Sequence, residues 1–183
     1  MPVHPDMGSQ PSALVNIVMF QLGWFACVLG AAHGTPWLGP VATALAVFVH
    51  LFIAPRVLPE LQLLMASLFV GLLWETLVLQ LGLVRFEAGG SMSRWAPLWI
   101  IAMWPLFATT LNCSLGFLHG RYLLAAALGA VGGPLAYYAG QQLGALTLTP
   151  TTSALLVQGA GWALLMPLLM LLARRFAGVR QRV

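Results

Sequence analysis

Six apolar stretches, each close to 20 residues and nearly free of charge, run through this 183-residue chain and leave few folds open to it. They extend approximately over residues 14–32, 37–54, 61–82, 96–116, 122–143 and 152–173. A helix rises about 1.5 Å per residue, so about 20 residues cross the roughly 30 Å of hydrocarbon in a bilayer. Between the stretches lie breaks rich in Gly, Pro and Arg, at 33–36, 55–60, 85–94, 118–121 and 144–151. Only 7% of the residues are charged, against about a quarter in soluble domains. So few charges cannot cover a water-exposed surface. The expected fold class is therefore all-α: a polytopic membrane helix bundle of six transmembrane helices forming one integral-membrane domain. An open sheet edge facing lipid would leave backbone groups unpaired.

Arginine placement sets the expected orientation. All eight cationic residues are Arg. With the N-terminus and the C-terminus both cytoplasmic, Arg56, Arg121, Arg174, Arg175, Arg180 and Arg182 lie inside, and Arg85 and Arg94 outside, as the positive-inside rule requires. Residues 174–183 read as a basic cytoplasmic tail. The net charge of +4 is then a membrane flank, with lipids as the partner and no nucleic acid. The small residues Gly30, Ala31 and Ala32 could end a signal peptide. The first stretch is longer than a typical apolar signal core of about 7–15 residues and has no Lys or Arg before it, so it is expected to be retained. Cys27 and Cys113 lie in apolar surroundings without metal or disulfide spacing and read as small hydrophobes.

Glu75 is the residue that membrane physics least tolerates. Counting helical rise, it lies about 5 Å from the centre of the third stretch. An acid at that depth costs a few kcal/mol or more unless it faces the bundle interior or a wet cavity. Ser67, Gly71 and Glu75 recur every four residues, with Gly82 further on, as one small and polar stripe. No Arg shares its depth, so the expectation is a protonated, hydrogen-bonded acid. Tyr137, Tyr138, Gln141 and Gln158 are placed in the same outer half, with Gln21 near mid-depth. Gln158 and Gln21 are the expected direct partners. Each of these residues also has a plain reading as an interhelical hydrogen bond that fixes packing.

A second polar layer lies toward the cytoplasm. Thr109, Asn112, Gly116 and His119 follow helical spacing on the fourth stretch, and Asn16 and His50 reach comparable depth. His50, Arg56, His119 and Arg121 could contact an anionic lipid headgroup. No HxxxH or HExxH pairing supports a metal, and no dinucleotide fingerprint, phosphate loop or nucleophile triad is present, so no cofactor is indicated. Trp37, Trp95 and Trp99 fit the outer interface. Trp24, Trp74, Trp104 and Trp162 fall deeper, and Trp74 is placed with Glu75. On the fifth stretch Ala125, Gly129, Gly133, Ala136 and Gly140 allow close approach of a neighbouring helix.

The string Phe20-Gln21-Leu22-Gly23-Trp24-Phe25, the pair Trp74-Glu75, and Trp104-Pro105-Leu106-Phe107 through Asn112 and Gly116 resemble a bacterial inner-membrane family, domain of unknown function 2878. The likeness runs from about Asn16 to about Arg175. It implies a multi-pass protein of the bacterial inner membrane. Some members are encoded near enzymes that modify membrane fatty acids, which implies lipid-related work. It carries over no reaction and no catalytic residue.

Three functions are consistent with these residues. The first is binding or processing of a lipid or other apolar small molecule in a polar cavity around Glu75, lined by Trp74, Gln21, Tyr137, Tyr138, Gln158 and Asn112. Glu75 is the acid/base if the protein is an enzyme. The second is a small proton-coupled transporter. The third is a non-catalytic assembly or partner subunit in a homo- or hetero-oligomer, whose polar residues only fix helix register.

Overall fold

A computed structural model describes residues 13–88 and 94–177. Arg180 and Arg182 of the basic tail and Gly89-Gly90-Ser91 lie outside the described residues. Among these described residues the fold is all-α, with six helices: α1 (Ala13–Ala32), α2 (Leu38–Ile53), α3 (Val57–Gln80), α4 (Leu98–Leu111), α5 (Tyr122–Gln142) and α6 (Thr151–Arg175). Four of them, α1, α3, α5 and α6, are long and apolar enough to cross a membrane, while α2 and α4 are shorter at 16 and 14 residues.

The surface explains what surrounds the bundle. Leu123, Phe52 and Leu164 are 90%, 81% and 76% exposed, and large apolar side chains point outward from every helix. A monomer in water rarely exposes apolar patches beyond a few hundred Å². Such a surface is compatible with a multi-pass membrane protein, for which acyl chains would remove the cost.

α4 occupies the centre of the bundle, packed by α1, α2 and α3 and touched by α6. Nine of its 14 residues are buried, which explains why its polypeptide stays apolar although it is too short to span alone. Its sequence expectation needs correction. The helix stops at Leu111, with Asn112 as its C-cap, and the chain continues through turns and a 3-10 turn at Gly116–Leu118. Thr109, Asn112, Gly116 and His119 therefore do not lie along one continuous helix.

The connectors also hold a short ladder that periodicity did not announce. β1 (Val84–Phe86) pairs antiparallel with β2 (Leu146–Leu148), in the register Val84↔Leu148, Arg85↔Thr147 and Phe86↔Leu146. Val84, Phe86, Leu146 and Leu148 face inward, and Phe86 meets the ring of Trp99 edge-on at 5.6 Å. The ladder caps the bundle end shared by the C-termini of α1, α3 and α5. Arg85 and Arg94 belong to that end. Arg56, Arg121, Arg174 and Arg175 belong to the other, where Arg56 donates to the Ala177 carbonyl at 2.9 Å.

Glycines place the aromatic rings of the core. A Cβ on Gly71 would collide with the indole of Trp104, one on Gly161 with Trp74, and one on Gly133 with Trp162. Gly129 and Gly133 bring α5 onto α6, the most extensive helix contact in the bundle. The small-residue stripe of α5 thus finds its neighbour in α6, through part of its length.

Candidate functional site

The stripe of α3 faces α4, and one tryptophan meets all of it. Ser67 Oγ donates to the Trp104 carbonyl at 2.9 Å, Gly71 lies beneath the Trp104 ring, and Trp104 Nε1 donates to Glu75 Oε1 at 3.0 Å. The Tyr137 hydroxyl, from α5, donates to the same oxygen. Glu75 is 1% exposed, and its Oε2 has no hydrogen-bond partner among the described residues. The expected inward, hydrogen-bonded acid is what the helix packing produces.

Its expected partners differ. Gln158 lies one step behind, accepting from Trp74 Nε1 at 3.1 Å. The Tyr137 hydroxyl sits close to both of those side chains. Gln21 is exposed and forms no direct bond to Glu75. Tyr138 is 44% exposed on the opposite side of α5 from the site. Trp99 is 1% exposed and donates to the Ala88 carbonyl at 3.0 Å, so it is a core residue rather than an interfacial anchor.

Glu75 and Tyr137 stand in the wall of a cavity of about 540 Å³. Such volumes are those of small-molecule sites, which run from about 300 to 1,000 Å³. Phe20, Gln21, Trp24 and Val28 of α1 form one wall, while Leu128, Gly132, Ala136 and Gly140 of α5 form the facing one. α1 packs on α2 and α4, and α5 on α6, with no extensive contact between α1 and α5. The cavity consequently opens sideways between these two helices, with exposed Gln21, Leu128 and Leu135 along the gap. Trp104, Phe107 and Trp162 make its floor, with the Trp104 and Trp162 rings stacked at 5.2 Å and 20°. Trp74 and Gln158 do not line the space; they support Glu75 and Tyr137 from behind.

A family model described as "Protein of unknown function (DUF2878)" matches residues 13–168. The chain belongs to this family. No curated protein and no solved structure matches it. Every residue of the cavity wall named above falls inside the part of the chain that defines DUF2878.

The DUF2878 bundle holds a second polar constellation at the opposite end, centred on a residue that the sequence reading treated only as loop punctuation. Glu60, in the first turn of α3, is fully buried. Its Oε2 meets His50 Nε2 at 2.9 Å, and its Oε1 accepts from Asn112 Nδ2 at 3.5 Å. Asn112 Oδ1 lies 3.0 Å from His119 Nε2. Because the Asn112 amide donates to Glu60, its oxygen faces His119, so His119 Nε2 carries a hydrogen. Burial first, and the nearby Arg174 guanidinium with it, hold the His119 imidazole below its usual 6.5, against a hydrogen bond to the Leu111 backbone.

Asn112 therefore belongs to this constellation, remote from the Glu75 cavity. Of the four residues expected at a lipid headgroup, His50 and His119 are drawn into this same chain of contacts, and among the described residues no bond joins Arg56 or Arg121 to it. His50 is 6% exposed and engaged by Glu60, His119 is engaged by Asn112, Arg56 holds the end of α6, and Arg121 is exposed at the start of α5. No group of three or more His, Cys, Asp or Glu side chains among the described residues is arranged to hold a metal.

Proposed function

We propose that this protein crosses the bacterial inner membrane six times, with both termini in the cytoplasm, as one domain that binds a lipid or other apolar small molecule in the cavity around Glu75. The carrying observation is the combination of a cavity of about 540 Å³ with an opening between α1 and α5 and a buried carboxyl oxygen without a partner in its wall. An apolar pocket with a few convergent polar groups is the usual form of a small-molecule site. Its side opening faces the apolar exterior, which suits a molecule dissolved in lipid. If binding leads to chemistry, Glu75 is the acid/base, being the carboxyl group of the wall. The orientation is supported by the Arg distribution, and the short α4 crosses largely within the protein's own packing.

The test is occupancy. Protein purified in mild detergent should carry an extractable apolar molecule, and Gly132→Leu should lose it. Beyond its own stretch of helix, a Cβ at position 132 meets no described atom within 4 Å, so a side chain added there has room to start and enters the cavity that Gly132 lines. An empty wild-type cavity, or equal occupancy in the variant, overturns the proposal. Lipid mass spectrometry of a deletion strain then asks for chemistry, and an unchanged profile limits the role to binding.

A proton-coupled carrier is a second reading, favoured by the two buried acids on one face of α3. Glu60 and Glu75 are about 22 Å apart along the helix. Proton flux in proteoliposomes under a pH gradient, lost in Glu75→Gln, would support it.

A further inference from the structure

We infer that the cavity takes a single apolar chain ending in a hydrogen-bond-accepting carbonyl, an aldehyde or ketone, seated against Glu75 and Trp162. This rests on the small-molecule reading above and adds the chemical class of the ligand. Size and shape give the chain. The α5 wall runs from Leu128 to Gly140, about 18 Å at helical rise. At about 30 Å³ per water-sized group, the 540 Å³ volume holds roughly 18 such groups. That suits one long chain, whereas a two-chain phospholipid is about twice too large.

The polar atoms give the head. Most hydrogen-bonding groups of the wall are already committed. Trp104 Nε1 and the Tyr137 hydroxyl both serve Glu75 Oε1, and Trp99 Nε1 serves Ala88. Among the described residues of the wall, Glu75 Oε2 and Trp162 Nε1 are buried without partners. The two are neighbours in the network, since the Trp162 ring stacks on the Trp104 ring that bonds Glu75. Indole N–H can only donate. No cation among the described residues forms an ion pair with Glu75. A bare buried carboxylate is far costlier than its neutral acid. Oε1, accepting two bonds, is then the carbonyl oxygen of that acid, and Oε2 carries the hydrogen. Both buried groups of the wall left without partners are donors, while the Gln21 amide, which could accept as well as donate, lies exposed at the gap, so the head that fits beside Glu75 and Trp162 is an acceptor.

The experiment compares 2-heptadecanone, heptadecane and heptadecylamine at equal mole fraction in phosphatidylcholine nanodiscs holding the full chain, with occupancy read by native mass spectrometry. The ketone should bind about tenfold better than the alkane and the amine, the worth of one well-made buried hydrogen bond. Glu75→Gln, whose amide still accepts from Trp104 and Tyr137 and still donates, should keep that preference. Glu75→Leu should erase it, bringing ketone binding down to that of heptadecane in the same variant. Trp162→Phe, which keeps an aromatic ring against Gly133 but removes the N–H together with part of the indole, should reduce the ketone preference relative to heptadecane in the same variant and serves as the test if Glu75→Leu does not fold. Equal binding of ketone and alkane, or preference for the amine, overturns the carbonyl head and leaves the cavity reading standing. Failure of all three probes to bind, or binding undisturbed by Gly132→Leu, overturns both.

Discussion

Trp104 rests on Gly71 so closely that any Cβ at position 71 would fall inside the indole ring's contact distance. One turn further along α3, the same indole donates its N–H to Glu75. The glycine therefore sets the position of the group that orients the acid. Gly71→Ala should push Trp104 away, weaken the Glu75 bond and cost about 1–3 kcal/mol, as overpacked cores do. Gly132→Ala should do the reverse, because its Cβ meets open space and alanine favours helix by up to about 1 kcal/mol. Thermal unfolding in detergent gives both signs. A Gly71→Ala variant as stable as the parent would show that Trp104 is not seated as described.

Glu75 accepts from two buried donors, so its loss is asymmetric. Glu75→Leu leaves Trp104 Nε1 and the Tyr137 hydroxyl without an acceptor, at about 1–3 kcal/mol for each group. Glu75→Gln retains an oxygen for both and should unfold close to the parent temperature. Equal destabilisation by the two substitutions would argue against the hydrogen bonds drawn here.

The buried pair of Glu60 and His50 joins α3 to α2 at 2.9 Å. Removing either partner alone should cost about 3–5 kcal/mol, since a buried charge or strong donor is left uncompensated. The double variant Glu60→Leu with His50→Leu should cost less than the sum of the single ones. The difference is the coupling energy, read from a double-mutant cycle in denaturant or heat. Strict additivity would mean that the two side chains act independently.

His119 supplies a pH dependence with a definite sign. Its folded value lies below the ordinary 6.5, chiefly through burial, so the unfolded chain takes up a proton before the folded one does. Stability is then fully present above 6.5 and falls as pH drops through the folded value. His119→Gln should flatten that part of the profile. A parent protein whose unfolding temperature rises on acidification below 6.5, with the rise lost in His119→Gln, would contradict the assignment.

Hydropathy made the helices legible, because lipid exposure demands long uncharged runs whatever the details of packing. The inward turn of Glu75 was legible too, through Ser67 and Gly71 at fourfold spacing. Helix phase could have separated the two tyrosines. Tyr137 follows Gly133 by four residues and stays on the small-residue stripe, whereas Tyr138 falls off it. Glu60 was missed because it stands beside Pro59 at a helix start, where an acid normally faces water. Its position fifteen residues before Glu75, on the same buried face, was the available signal. The β1–β2 ladder was beyond reach, since three alternating residues on each strand do not distinguish a strand from a turn. The partners of Glu75 depend on how α4 and α5 are rotated against α3, which one sequence does not encode in any readable period.

If the proposed ligand enters through the gap between α1 and α5, that route changes what affinity has to accomplish. A molecule arriving from among acyl chains is already concentrated and already out of water, so seating it against α4 gains little from the hydrophobic effect. Selectivity must come from the few polar atoms and from fit against the tryptophan floor. Occupancy will follow the ligand's mole fraction in the bilayer, and assays that dose it by molarity in buffer will misjudge it.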